Sequence, residues 1–215
     1  MARIPLFSPD SMTAEQERVY QAVVDGPRGT VVGPLRAALH RPELADRWQR
    51  FGEILRYGTT LPPRLTELAI VVTARRWNSQ LEWHIHAEAG LRAGLSQAVL
   101  DAIKAGIQPV FNDAEEADIY EFARQLQQTG NVEEEVYQRV MLRWGNVGVV
   151  ELGAVIGYYT LVSMTLNVHQ IPLPDDVSPP LEPIPHSSSA GEALPTLARC
   201  SVLGASVKAG AESGA

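Results

Sequence analysis

The stretch 79–93 holds the side chains most able to do chemistry. Placed on a helix at about 100° per residue, Ser79, Glu82 and His86 fall on one stripe, three and four residues apart. Trp83 lies beside them, and Ala89, Gly90 and Ala93 continue the same face. Small residues let a neighbouring helix approach closely. A carboxylate and an imidazole would then face a tight, partly apolar space, where pKa values shift and acid/base chemistry becomes possible at neutral pH. The same spacing is also common on solvated faces, where such a pair contributes only a few tenths of a kcal/mol. His84 points about 160° away from His86 on a helix, so the two do not form one metal site, and no metal site is read from the chain.

These groups need helices to hold them, and helix signals fill the middle of the chain. Thr13 is placed to cap a helix, with Gln16 completing a capping box. Pro42 and Pro63 open two more. Asn78 or Ser79 starts the helix of the stripe, which ends near Gly94. Ser96 and Asp113 cap the next two, and Gly130 stops the second. Asn131 caps a helix that stops at Gly145, and a long apolar helix follows over 147–168. Gly33-Pro34 reads either as a plain turn or as a loop over a pocket mouth. No strand-like alternation and no repeat of 20–50 residues is present, so the expected fold is an all-α helical bundle. The apolar run over 147–168 is about the length of a membrane span. It carries Glu151, Tyr158, Tyr159 and Asn167, however, and reads better as a central helix buried by its own fold or by a partner subunit.

Composition bounds the rest. The chain has 215 residues, 45 % apolar and 20 % charged, with a net charge of -7. That fits a soluble globular protein with no electrostatic reason to seek nucleic acid or an anionic membrane. Cys200 is the single cysteine, which excludes an intrachain disulfide and a Cys-x-x-Cys pair. The first residues lack the apolar run of a signal peptide, and a cytoplasmic location is expected. Residues 1–174 are read as one domain. Residues 175–215, rich first in Pro and then in Ser, Ala and Gly, are read as a disordered tail.

The run Glu82-Trp83-His84-Ile85-His86, followed by Ala93-Gly94-Leu95-Ser96, resembles the signature of the carboxymuconolactone decarboxylase-like family, Glu-Trp-x-x-His with Ala-Gly-Leu after it. Arg64-x-x-Glu67-Leu68-Ala69 resembles the helix before that motif. Gly157-Tyr158-Tyr159 through Asn167 and Pro172-Leu173-Pro174 resembles the family's last helix and its exit. The resemblance spans about 32–174. Relatives of the alkyl hydroperoxidase D type carry Cys-x-x-Cys-x-x-x-His with a glutamate upstream. Aligned on His86, their cysteines fall at Ser79 and Glu82 and their glutamate at Glu67, so both sulfurs are missing here and a thiol peroxidase is not expected.

The resemblance implies a cofactor-free carboxy-lyase acting in aromatic compound catabolism on a small carboxylated lactone or oxo-acid. His86 and Glu82 would carry the acid/base chemistry, with Glu67 supporting the relay from the adjacent helix. Trp83, Ser79, Tyr158 and Tyr159 are candidates to line the substrate pocket. Each has a plain alternative as packing. Arg64 and Arg76 are candidates to hold the substrate carboxylate. The family also implies a homo-oligomer, a trimer or hexamer. Other proton-transfer lyases or isomerases, and a non-catalytic ligand-binding member, stay open.

Overall fold

A computed structural model describes residues 2–183. The expected tail from residue 184 on, Cys200 included, lies outside the described residues. Among those described, the chain is all α-helical. A short 3-10 turn precedes α1 (Ala14–Val24), α2 (Pro34–Ala38), α3 (Pro42–Tyr57), α4 (Pro63–Arg76), α5 (Gln80–Arg92), α6 (Gln97–Ala105), α7 (Ala114–Thr129) and α8 (Glu134–His169).

Local chemistry accounts for most boundaries. Thr13 N–H donates to Gln16 Oε1 at 2.8 Å, and Gln16 N–H returns the bond to Thr13 Oγ1 at 3.3 Å, closing the capping box that opens α1. Proline stands in the first turn of α2, α3 and α4, where its missing N–H costs nothing. Ser96 caps α6 and Asp113 caps α7. Gly130, in the left-handed region, ends α7. The last helix starts later than Asn131. Its N-cap is Glu133, whose N–H is satisfied by the Gln125 side chain. Within α8, Gly145 takes φ 65 and ψ -172, so the element is two helical segments joined at a break. The first segment is tied to α7 through Asp118, which accepts from Arg139 at 2.6 Å and Arg143 at 2.9 Å.

α4 is the central helix. From Leu65 to Ala74 nearly every residue is buried, and α5, α7 and α8 pack around it. α4 and α5 form a helical hairpin through a tight turn at Trp77–Ser79, where Asn78 takes a left-handed φ of 48. The hairpin carries the site. Gly90 on α5 faces α4, and a Cβ there would come within 2.8 Å of the Leu95 side chain and 3.7 Å of the Glu67 Cβ. Glycine at this position makes room for the Leu95 side chain, and a Cβ would meet α4 only at ordinary contact distance.

The long apolar segment of α8 is buried on one face only. Leu152, Val155, Ile156, Tyr159, Val162 and Leu166 enter the core, while Val147, Val150, Leu161, Met164 and Val168 remain exposed. The folded body also continues past Pro174, where composition draws its end. Leu181 is buried, and the Gln80 side chain both donates to the Leu181 carbonyl and accepts from its N–H, each at 2.9 Å. One amide clamps both polar groups of that residue, and composition carries no trace of such a contact.

Candidate active site

The hairpin brings Glu67 of α4 against His86 and Glu82 of α5. His86 Nδ1 lies 2.6 Å from Glu67 Oε2, and His86 Nε2 lies 2.9 Å from Glu82 Oε1. The imidazole is 2 % exposed and Glu82 4 %, so the pair is not a solvated-face contact. The Tyr159 ring of α8 stands edge-on to the imidazole with centroids 4.9 Å apart, and Tyr158 packs edge-on to Tyr159. The tyrosines thus close the fourth side of the imidazole, and both of its ring nitrogens are engaged by carboxylates.

Burial by itself would lower the His86 pKa. The two carboxylates outweigh that and push it up to about 9. At neutral pH the ring is therefore an imidazolium donating from both nitrogens. Burial pushes the Tyr159 phenol well above its ordinary value, with the Glu82 charge adding to the effect.

The sign of the pH dependence follows. The folded pKa of His86 is raised from 6.5 to about 9, so its stabilising contribution is complete below about pH 6.5 and is lost as the pH rises through 9. The shift corresponds to about 3 kcal/mol. Urea titrations of the native chain at neutral and alkaline pH should show stability falling over this window. The drop should exceed that of His86→Gln by roughly that amount. Parallel pH profiles for the two proteins would mean that the ring is not held as a cation.

A small cavity of about 30 Å³ adjoins the relay. It is lined by Glu82 and His86 of α5, by Tyr158, Tyr159 and Val162 of α8, and by a strap at residues 32–35. Gly33 in that strap has φ 57 and ψ -130, a conformation only glycine adopts readily, and it precedes α2. Gly33-Pro34 therefore stands over the cavity. Ile85 of α5 and two basic residues, Arg28 and Arg56, complete the lining.

Several candidates from the sequence sit elsewhere. Ser79 is fully buried and borders a separate cleft with Asn167, Gln170 and Leu173, away from His86. It is the N-cap of α5 with φ -82 and ψ 101, so the helical period used to place it on the stripe does not reach it. Trp83 is a core residue and does not line the cavity. Arg64 points to α7, where Asp113 accepts from it at 2.8 Å and Glu116 and Glu115 stand beside it. Those carboxylates satisfy its charge, and it is not part of this site. Arg76 donates to the Gln127 carbonyl and lies over Trp77, also outside the cavity. Arg28 and Arg56 were not singled out in the sequence. The available signal was Gly52 in the middle of α3, one turn from both Trp48 and Arg56 and therefore on their face.

Residues 42–131 match the Carboxymuconolactone decarboxylase family. That segment is carboxymuconolactone decarboxylase-like. The matched span holds Glu67, Glu82 and His86, and α8 with its tyrosines lies beyond it. The fold is similar to the alkylhydroperoxidase AhpD core of an uncharacterized peroxidase-related protein from Ralstonia eutropha JMP134. That likeness has a TM-score of 0.66 at 14% identity, over 81% of this chain and 93% of the other. It is also similar to the debrominase Bmp8 in its apo form, with a TM-score of 0.61 at 13% identity over 80% and 91% of the two chains. A Bmp8 variant in complex with 2,3,4-tribromopyrrole gives a TM-score of 0.62, also at 13% identity over 80% and 91%. No curated protein matches the chain. The chain thus shares a fold with a debrominase and with a peroxidase-related protein, and fold alone does not settle its chemistry.

Proposed function

We propose that the protein is a cofactor-independent carboxy-lyase acting on a small carboxylated lactone or oxo-acid through the buried Glu67–His86–Glu82 relay. That relay, one imidazolium between two carboxylates beside a small cavity, is the observation that carries the reading. The bond between the carboxylate carbon and its neighbour breaks, carbon dioxide leaves, and the electron pair moves onto the conjugated carbonyl oxygen of the substrate. The resulting enolate then takes a proton at carbon. Both ring nitrogens of His86 face carboxylates, so the proton starts on His86 and passes through Glu82, which lines the cavity, to the substrate carbon. The ring regains a proton from solvent between turnovers, and Glu67 holds the ring in place and stabilises its charge. The site has a carboxylate where a thiol peroxidase needs a thiolate, so peroxide reduction is not its chemistry. The test is a screen of small carboxylated lactones and oxo-acids for carbon dioxide release. Release by the native chain that is lost in Glu82→Gln supports the reading, and release that persists in that variant overturns it.

The same reading includes a homo-oligomer. α8 leaves Val147, Val150, Leu161, Met164 and Val168 exposed and α3 leaves Phe51 and Ile54, and a second copy of the chain would cover such apolar side chains. Sedimentation should give a mass well above one chain. A monomer at micromolar concentration would count against the assembly and leave the relay untouched.

A further inference from the structure

The cavity beside the relay is lined by two arginines with no carboxylate partner. Arg28 and Arg56 take part in no ion pair among the described residues, whereas Arg64, Arg124, Arg139 and Arg143 all do. The Arg28 Nε atom is buried and has no acceptor among the described residues. Trp48 stands edge-on to the Tyr158 ring, with centroids 6.4 Å apart, and Arg28 Nη2 is 3.5 Å from the Tyr158 hydroxyl. Gly52 is the floor beneath them. A Cβ there would lie 2.0 Å from the Tyr158 hydroxyl and 2.4 Å from Arg28 Nη2, so glycine is what lets Tyr158 and Arg28 sit against α3. Buried donors without acceptors are rare in folded proteins, and the Arg28 Nε beside this cavity calls for an acceptor that the described residues do not supply. Formal charge points the same way. Arg28, Arg56 and His86 against Glu67 and Glu82 leave one excess positive charge around the cavity.

We propose that Arg28 and Arg56, which line the cavity together with Tyr158, form the subsite for the carboxylate of a monoanionic substrate and hold it beside Glu82. The inference rests on the carboxy-lyase reading for the fate of that carboxylate, but the subsite stands on its own donors. The guanidinium forks match a carboxylate, and the unpaired charge is neutralised by one. Arg28 belongs to the segment between α1 and α2, which ends in the strap over the cavity, so the anion also ties that segment to α3. A neutral analogue of the same shape lacks the group that satisfies these donors and is selected against.

The probes are furan-2-carboxylate and its neutral counterpart furan-2-carboxamide, measured by titration calorimetry with the native chain, Arg28→Met, Arg56→Met and Glu82→Gln. The carboxylate should bind the native chain at least ~10-fold more tightly than the amide, the worth of one charge-assisted pair. Each methionine variant should lose at least that factor for the carboxylate and little for the amide. Arg28→Lys and Arg56→Lys, which keep the charge without the fork, should fall between native and methionine, and they cover the case in which a methionine variant fails to fold. Glu82→Gln should keep carboxylate binding, which separates the subsite from the chemistry. Equal affinity for the two probes, carboxylate affinity unchanged in both arginine variants, or no binding of either probe overturns the subsite. Loss of carbon dioxide release in Glu82→Gln would still support the relay in that event, and persistence of release alongside selective carboxylate binding would sink the relay alone.

Discussion

Replacing Glu82 by glutamine or His86 by glutamine is expected to slow turnover by at least ~10²-fold, the low end for a general acid/base group. The double variant should be little slower than the slower single one. The reason is the linear order of the groups. Glu67 meets one ring nitrogen and Glu82 the other, and the cavity lies against Glu82. A proton that must pass through two groups in series is stopped by removing either, so the second removal has little left to take. Steady-state kinetics on whichever substrate releases carbon dioxide, with circular dichroism on each variant, decides the matter. Near-normal turnover in both singles would reduce the relay to a structural contact. Effects that multiply in the double would mean that the two groups act on separate steps.

The second expected result concerns stability, and it limits which variants are usable. Removing the ring leaves Glu67 and Glu82 facing each other in a buried gap with no counter-charge between them. His86→Leu should therefore cost ~3–5 kcal/mol, the usual penalty for breaking a buried ion pair from one side. Replacing the whole set, as in Glu67→Leu with His86→Leu and Glu82→Met, removes the stranded charges together and should recover most of that loss while leaving the protein inactive. Urea denaturation of the two proteins at neutral pH reads the difference directly. If the single and triple replacements are equally unstable, packing around the ring dominates and the charges contribute little. Glutamine is the better choice at position 86 for kinetics because it retains a hydrogen-bonding amide there.

What the sequence made readable depended on how near in the chain the partners lie. Glu82 and His86 are one helical turn apart, and their shared stripe follows from local geometry. The capping box at Thr13, the glycine stops and the break at Gly145 are likewise local signals, and the structure has each of them. Glu67 lies a hairpin away and came into view through the family motif rather than through spacing. Ser79 misled because one residue of N-cap geometry is enough to leave the helical period. Arg64 misled because nothing near it in the chain announces the carboxylates of α7 that occupy it. Arg28 and Arg56 reach the site only when the segment after α1 and the helix α3 meet α8, a long-range event that composition does not encode.

The narrowness of the cavity has a kinetic consequence. About 30 Å³ holds roughly one water, whereas a lactone ring needs several times that space. Under the carboxy-lyase reading, substrate enters only if the strap at residues 32–35 gives way. The strap would then open and close once per cycle. Motions of this kind run on the microsecond-to-millisecond scale, and they set an upper bound on the turnover number that no improvement of the relay can raise.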